Sequence, residues 1–278
     1  MSQVQEEMAR LLEAVRAEKP LVHQITNYVT VNDCANITLA VGASPVMADC
    51  QAEVADITAS ASALVLNIGT LNERTSAAMI KAGQAANAVG IPVVLDPVGA
   101  GASALRTATA KTLLQEVKIA VLRGNISEIK CLAGSGVGAQ GVDATVADLN
   151  PGQEQDTIAL AVELARKEQA VVAITGAVDT ISDGQRCITL ANGHPMLSQV
   201  TGTGCMTTAL VAACCGVGID NFWGAATGIA IMGLAGETAY AAAGMQGTGS
   251  FHVALIDAVS RLNGAEIAKG VRYREISL

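Results

Sequence analysis

The sequence predicts a single α/β domain over residues 1–278, in which a mainly parallel central sheet is sandwiched between two layers of helix. Short apolar runs rich in β-branched residues occupy 64–67, 92–96, 119–123 and 171–175, and each has the length of a strand. Helical periodicity fills the gaps between them at 73–89, 104–116 and 156–168. Repeated strand, helix and strand imply right-handed crossovers, which set parallel strands side by side and helices on both faces. Composition agrees. Hydrophobic residues make up 51% of the chain and aromatic ones only 2%, with 28 glycines, so the core must be aliphatic and close-packed through small residues.

Along the chain, residues 1–20 read as a charged amphipathic helix carrying Glu6, Glu7, Arg10, Glu13, Arg16 and Glu18. That is unlike the basic start and apolar centre of a signal peptide, and a cytoplasmic location is expected. The stretch 133–152 collects Gly134, Gly136, Gly138, Gly141 and Pro151 and reads as a loop between two strand–helix units. Beyond residue 175 the pattern changes to a hairpin, 180–182 and 186–190, joined through Asp183-Gly184, a dipeptide suited to positive φ. From Thr201 onward the chain reads as nearly all helix. Within that part 222–236 is uncharged, but it is rich in Gly and Ala, ends at Glu237, and falls short of the roughly 20 residues that a membrane span needs. It is expected as a buried helix, with Gly224, Gly228, Gly233 and Gly236 admitting another backbone from this subunit or a neighbour. No internal repeat is found.

A net charge of −8, with only 17 Lys and Arg scattered along the chain, argues against a nucleic-acid partner. The seven cysteines are odd in number, contain no C-x-x-C and are not grouped with histidine at zinc spacings, so they are expected as reduced thiols.

Chemistry gathers where the strands end: Asn67-Ile68-Gly69-Thr70, Asp96-Pro97-Val98-Gly99, Arg123-Gly124-Asn125 and Thr175-Gly176. Ligands of open α/β sheets bind outside the carboxyl ends of the strands, so these segments converge on one crevice. Thr201-Gly202-Thr203-Gly204-Cys205 opens a long apolar helix, where unpaired N–H groups and the helix dipole suit an anion and glycines let it approach. The plainer reading makes Thr203 an ordinary N-cap. Asn125 and Glu128 match an N-x-x-E element that reads equally as a capping box or as part of a Mg²⁺ site with Asp96. Arg123 would then hold phosphate oxygens. No G-x-x-x-x-G-K-[ST] is present, which excludes a P-loop.

Two other chemistries stay open. Gly99 to Ala104 follows a strand and precedes a helix as a weak dinucleotide fingerprint, with Arg123 available to an NADP phosphate. Cys205 at a helix start is a candidate thiol nucleophile, with its pKa lowered there and His194 or His252 as base. His23 completes the set of three histidines.

Gly202-Thr203-Gly204-Cys205, Asp96-Pro97-Val98-Gly99-Ala100, Arg123-Gly124-Asn125 and the opening Val22-His23-Gln24-Ile25-Thr26-Asn27-Tyr28-Val29 recur together, in order, in the hydroxyethylthiazole kinases of thiamine salvage. Over nearly its whole length the sequence resembles that family, which belongs to the ribokinase-like superfamily. The resemblance implies ATP- and Mg²⁺-dependent phosphorylation of the primary hydroxyl of 4-methyl-5-(2-hydroxyethyl)thiazole. It further implies that Met47, Gly202 and Asn27 contact the thiazole, that Arg123 and Thr175 contact the nucleotide, and that Asp96 and Glu128 organise the metal. It also implies an anion hole over Gly202, Thr203, Gly204 and Cys205, and a homotrimer with its sites between subunits. Cys205 stands where most ribokinase-like enzymes have an Asp base, and a thiol of ordinary pKa, about 8.5, matches that role less well.

Overall fold

The computed structural model describes residues 2–134, 151–218 and 220–278. Helix α1 (Gln3–Glu18) buries Val4, Met8, Leu11, Leu12 and Val15 at helical spacing, and a Ser2–Gln5 capping box closes its start. Next come β1 (Leu21–Ile25), α2 (Val31–Val41), β2 (Ser44–Val46) and α3 (Val54–Ala59). The regular alternation follows: β3 (Ala63–Asn67), α4 (Glu73–Val89), β4 (Val93–Asp96), α5 (Ala104–Glu116), β5 (Val121–Asn125), α6 (Ile126–Ala133), α7 (Pro151–Glu168) and β6 (Val171–Thr175). A hairpin of β7 (Asp179–Ser182) and β8 (Cys187–Leu190) leads through a 3-10 turn at Pro195–Gln199 into α8 (Thr203–Cys215), α9 (Asn221–Ala243), α10 (Thr248–Arg261), α11 (Gly264–Gly270) and β9 (Tyr273–Ile276).

Among the described residues the strands form one nine-stranded sheet in the order β2-β1-β3-β4-β5-β6-β7-β8-β9. The run from β2 to β6 is parallel, and β6 to β9 pair antiparallel. Strand side chains alternate between two cores, as a pleat requires. Ala63, Val65, Val94, Val121, Val171 and Ala173 pack with α1, α2, α8, α9, α10 and α11. Leu64, Leu66, Val93, Leu95, Leu122, Val172 and Ile174 pack with α3 to α7. The three-layer α/β/α architecture expected from the sequence is thus observed, with helices covering both faces of the sheet.

Two boundaries need correction, and strands β1 and β9 were not foreseen. β5 does not end at Arg123 but runs on to Asn125, because its neighbour β6 continues pairing as far as Asn125 opposite Thr175. The chain after Thr201 is nearly all helix, as expected, but it ends in β9, which pairs with β8 as a short edge strand whose Arg274 and Glu275 stay in solvent, a polar composition that hides a strand from hydropathy. β1 was legible only as part of a motif, since His23 and Gln24 interrupt its apolar run. Both are buried with partners: His23 Nδ1 lies 2.8 Å from Thr58 Oγ1 and its Nε2 2.8 Å from the Ala48 carbonyl, and Gln24 Nε2 donates to Thr38 Oγ1 at 2.9 Å. The predicted loop begins later than expected, since Ala133 closes α6, and Pro151 already opens α7. Its glycines 136, 138 and 141 lie outside the described residues.

The apolar segment 222–236 is a buried helix, as expected, and no helix among the described residues is long and apolar enough to cross a membrane. α9 lies directly against α8. A Cβ built on Gly228 would stand 2.5 Å from Val211 N and 2.6 Å from Val211 Cα, and one on Gly224 would stand 2.6 Å from Cys215 Sγ. The Val211 atoms are backbone, which cannot move aside, so Gly228 is what lets the helices meet. Gly228→Ala is therefore expected to lower stability by about 1–3 kcal/mol in urea unfolding. Gly249→Ala, where the space is open, should change it by under about 1 kcal/mol.

Candidate active site

Parallel pairing from β2 to β6 brings successive carboxyl ends into one row. Met47 follows β2, Asn27 lies in the turn after β1, Asn67 ends β3, Asp96 ends β4, Arg123 and Asn125 lie near the end of β5, and Thr175 ends β6. The first turn of α8 crosses above this row. Met47 packs half-buried against the core of α1, α2 and α8, at the outer end of the row.

A continuous chain of side-chain contacts connects the members. Asn27 Nδ2 donates to Asn67 Oδ1 at 3.1 Å and to Cys205 Sγ at 3.2 Å. Asn67 Nδ2 donates to Asp96 Oδ2 at 2.9 Å and to Cys205 Sγ at 3.3 Å. Thr208, one turn beyond Cys205 on α8, donates to the same Asp96 Oδ2 at 2.8 Å. Arg123 Nη1 lies 3.6 Å from it, and Arg123 Nη2 donates to Thr175 Oγ1 at 2.6 Å. Sequence reasoning missed Thr208 and assigned no role to Asn67; the available signals were the i, i+3 spacing from Cys205, which shares a helix face, and the terminal position on β3.

The start of α8 is bare. Its N-cap is Gly202, with φ of 88°, and no side chain caps the helix. Thr203 is therefore not the N-cap; its hydroxyl donates to the carbonyls of Leu197, at 2.9 Å, and Val200, at 3.4 Å, tying the 3-10 turn to the helix. A Cβ on Gly202 would meet Thr30 Cγ2 at 2.7 Å, and one on Gly204 would meet Arg123 Nη1 at 3.0 Å. The guanidinium thus lies against the uncapped turn, and together they make an anion cradle.

Charge at the site is tightly held. Asp96 is fully buried, and burial raises its pKa, opposed by Arg123, Thr208 and Asn67. Its Oδ1 is buried without a hydrogen-bond partner, as is Arg123 Nε. An orphaned carboxylate oxygen beside an anion cradle fits a hydrated divalent cation carried by a phosphate ligand, and the orphaned guanidinium nitrogen fits a phosphate oxygen. Glu128 is differently placed. Its Oε2 accepts from Asn125 N at 2.9 Å, completing the capping box, and its Oε1 accepts from Gly99 N at 2.7 Å, binding the turn after β4 to α6. Burial and the nearby charge of Asp96 push its pKa to about 7. No cluster of three His, Cys, Asp or Glu suited to a metal occurs among the described residues, so any cation here relies on few carboxylates.

The comparisons with known proteins are concordant. A family model described as the hydroxyethylthiazole kinase family matches residues 12–265. A curated hydroxyethylthiazole kinase from Ruminiclostridium cellulolyticum is 57% identical over 276 residues, 99% of this chain and 100% of that protein. The chain belongs to the hydroxyethylthiazole kinase family. The solved structure of a hydroxyethylthiazole kinase protein from Pyrococcus horikoshii OT3 aligns with a TM-score of 0.88 at 40% identity, covering 97% of this chain and 99% of that one. A Staphylococcus aureus pyridoxal kinase in complex with ADP aligns with a TM-score of 0.62 at 14% identity over 79% of this chain and 88% of that one, which shows the shared ribokinase-like fold.

Membership of the hydroxyethylthiazole kinase family removes the dinucleotide reading, and the geometry gives the reason. The N–H of Gly99 is taken by Glu128, that of Gly101 by Thr107 Oγ1 at 2.9 Å, and the Ser103 side chain caps α5, so the donors of the glycine turn are already engaged within the protein. The thiol nucleophile fares no better. Burial and then the charge of Asp96 raise the Cys205 pKa, against the lowering expected at a helix start, while hydrogen bonds from Thr30, Asn27 and Asn67 only partly offset this. None of the histidines serves it: His194 stacks on Tyr240 with centroids 3.6 Å apart, His252 Nε2 lies 3.1 Å from Asp33 Oδ1, and His23 is engaged as above.

One further acid adjoins the candidate site. Asp179, buried at the start of β7, accepts from Gly176 N at 3.0 Å and so shapes the turn after Thr175; burial pushes its pKa from 3.8 to about 7. Between pH 4 and 7 the folded protein therefore holds more protons than the unfolded chain, so stability falls as pH rises through that window and levels off above it. Asp179→Asn keeps an acceptor for Gly176, and it should flatten this slope in urea unfolding while matching or exceeding wild-type stability at pH 8. An unchanged slope would show that Asp179 ionises normally.

Proposed function

We propose that the protein transfers the γ-phosphoryl group of ATP to the primary hydroxyl of 4-methyl-5-(2-hydroxyethyl)thiazole, supplying its phosphate to thiamine biosynthesis. The observation that carries this reading is the uncapped turn at Gly202, Thr203, Gly204 and Cys205 with the Arg123 guanidinium against it. Phosphoryl transfer passes through a loose transition state, so catalysis is chiefly alignment and charge stabilisation. The α8 N–H groups and Arg123 receive the transferred group, and Thr175 holds Arg123 and the nucleotide. Met47, Gly202 and Asn27 line the acceptor side. Asp96, through its free oxygen, and Glu128, through intervening waters, would hold Mg²⁺. When bound, that ion would neutralise phosphate charge.

Cys205 sits where the acceptor hydroxyl must lose its proton. Its raised pKa keeps it a thiol near neutrality, so it positions the alcohol more than it withdraws the proton. The two amide donors that face Cys205 Sγ would equally receive a carboxylate. We further place the protein in the cytoplasm as a homotrimer with its sites between subunits. The exposed Tyr28, Val29, Leu39 and Val253, on or beside α2 and α10, support an apolar contact of that kind.

Purified protein with ATP, Mg²⁺ and hydroxyethylthiazole is expected to release ADP in proportion to the alcohol. Turnover with another alcohol alone would keep the chemistry and remove this acceptor, and ADP release independent of any alcohol would overturn the kinase reading. Cys205→Ser should retain measurable activity and Cys205→Asp should match or exceed wild type; loss of both with unchanged melting would show that the sulfur itself is required. Arg123→Ala should lower kcat/KM on the order of 100-fold or more, as removal of a transition-state donor does.

A further inference from the structure

Asn67 uses every hydrogen-bonding position of its amide. It is 1% exposed at the end of β3. Its Oδ1 accepts from Gly69 N at 3.0 Å and from Asn27 Nδ2 at 3.1 Å, while its Nδ2 donates to Asp96 Oδ2 at 2.9 Å and to Cys205 Sγ at 3.3 Å. A backbone N–H can only donate, so Gly69 fixes which end of the Asn67 amide is oxygen. Thr30 N does the same for Asn27, donating to its Oδ1 at 3.2 Å. Both nitrogens are thereby aimed at the sulfur, and neither amide can flip without setting donor against donor. On the other side, Asp96 Oδ2 meets Thr208 and Arg123.

We propose that Asn67 is a positioning residue that couples the two halves of the reaction centre, one amide nitrogen holding both Cys205 at the acceptor end and Asp96 at the phosphate end. The inference rests on the kinase reading above for which end is which. The hydrogen bonds alone establish the bridge. Its use is alignment: an in-line transfer needs the acceptor oxygen and the phosphate in register, and a displacement of about 1 Å can cost on the order of 100-fold. Asn67 touches neither reactant in this role. It acts through Cys205 and Asp96, and its loss should therefore appear in kcat more than in either KM.

The test is a double-substitution cycle of Asn67→Ala and Cys205→Ala, read in steady-state turnover for both substrates. In the wild-type background, Asn67→Ala is expected to lower kcat on the order of 30-fold with each KM within about threefold. In the Cys205→Ala background the same change should cost only on the order of threefold, because one end of the bridge is already gone. Equal losses in the two backgrounds would overturn the coupling and leave Asn67 as a partner of Asp96 alone. A raised KM with kcat unchanged would overturn it in favour of simple substrate binding. Should Asn67→Ala lack a cooperative melt, Asn67→Ser carries the same cycle. The four proteins are also compared by urea unfolding, where the bridge predicts folding constants non-additive by about threefold or more and additivity would overturn it. That arm stands even if the wild type releases no ADP with the thiazole alcohol, an outcome that defeats the proposed function alone.

Discussion

The buried carboxylate of Asp96 is the constraint around which the rest of the site is organised. A charge removed from water at the end of a central strand is tolerated only when neighbouring groups replace the lost hydration. Here the replacements come from three elements: Asn67 from β3, Thr208 from α8 and Arg123 from β5. Solvating one oxygen therefore fixes the height of α8 above the sheet and the reach of the guanidinium at once. The other oxygen is left without a hydrogen-bond partner, which suits the cation-holding role proposed for it.

The second requirement is that α8 stay still while its first turn stays open. A helix start without a side-chain cap is weakly held by its own turn, so much of its position must come from further along. Gly224 and Gly228 supply that by letting the backbone of α9 touch α8, and the aliphatic core beneath fills in around the contact. The Thr203 hydroxyl adds a strut to the preceding turn without covering the N–H groups.

How much of this was legible in the sequence follows from what each signal measures. Hydropathy registers strands whose two faces are both apolar, and so β3, β4, β5 and β6 stood out while β1 and β9 did not. In β1, His23 and Gln24 are buried because they find specific partners, which no average over residue types can register. The glycine-flanked turn at Gly202 and the strand-end Asp96 were readable because their residue types are unusual for those places. Asn67 and Thr208 were not, since an amide at a strand end and a threonine in a helix are common. Only the fold brings them to one carboxylate. The Asn125–Glu128 spacing was ambiguous in principle, because a capping box and a metal-organising pair use the same two residue types, and the structure shows the cap.

The row of strand ends has an order, with Met47 and Asn27 at one end, Asp96, Arg123 and Thr175 at the other, and Asn67 between. That order divides the labour spatially. On the proposed reading Met47 and Asn27, beyond β2 and β1 at the margin of the sheet, would read the alcohol, whereas Asp96, Arg123 and Thr175, nearer its centre, would handle phosphate. A lineage on this scaffold can alter its margin to accept a different alcohol without disturbing the centre. The same nine strands thus offer a fixed engine with an exchangeable mouth, and divergence of substrate needs no divergence of fold.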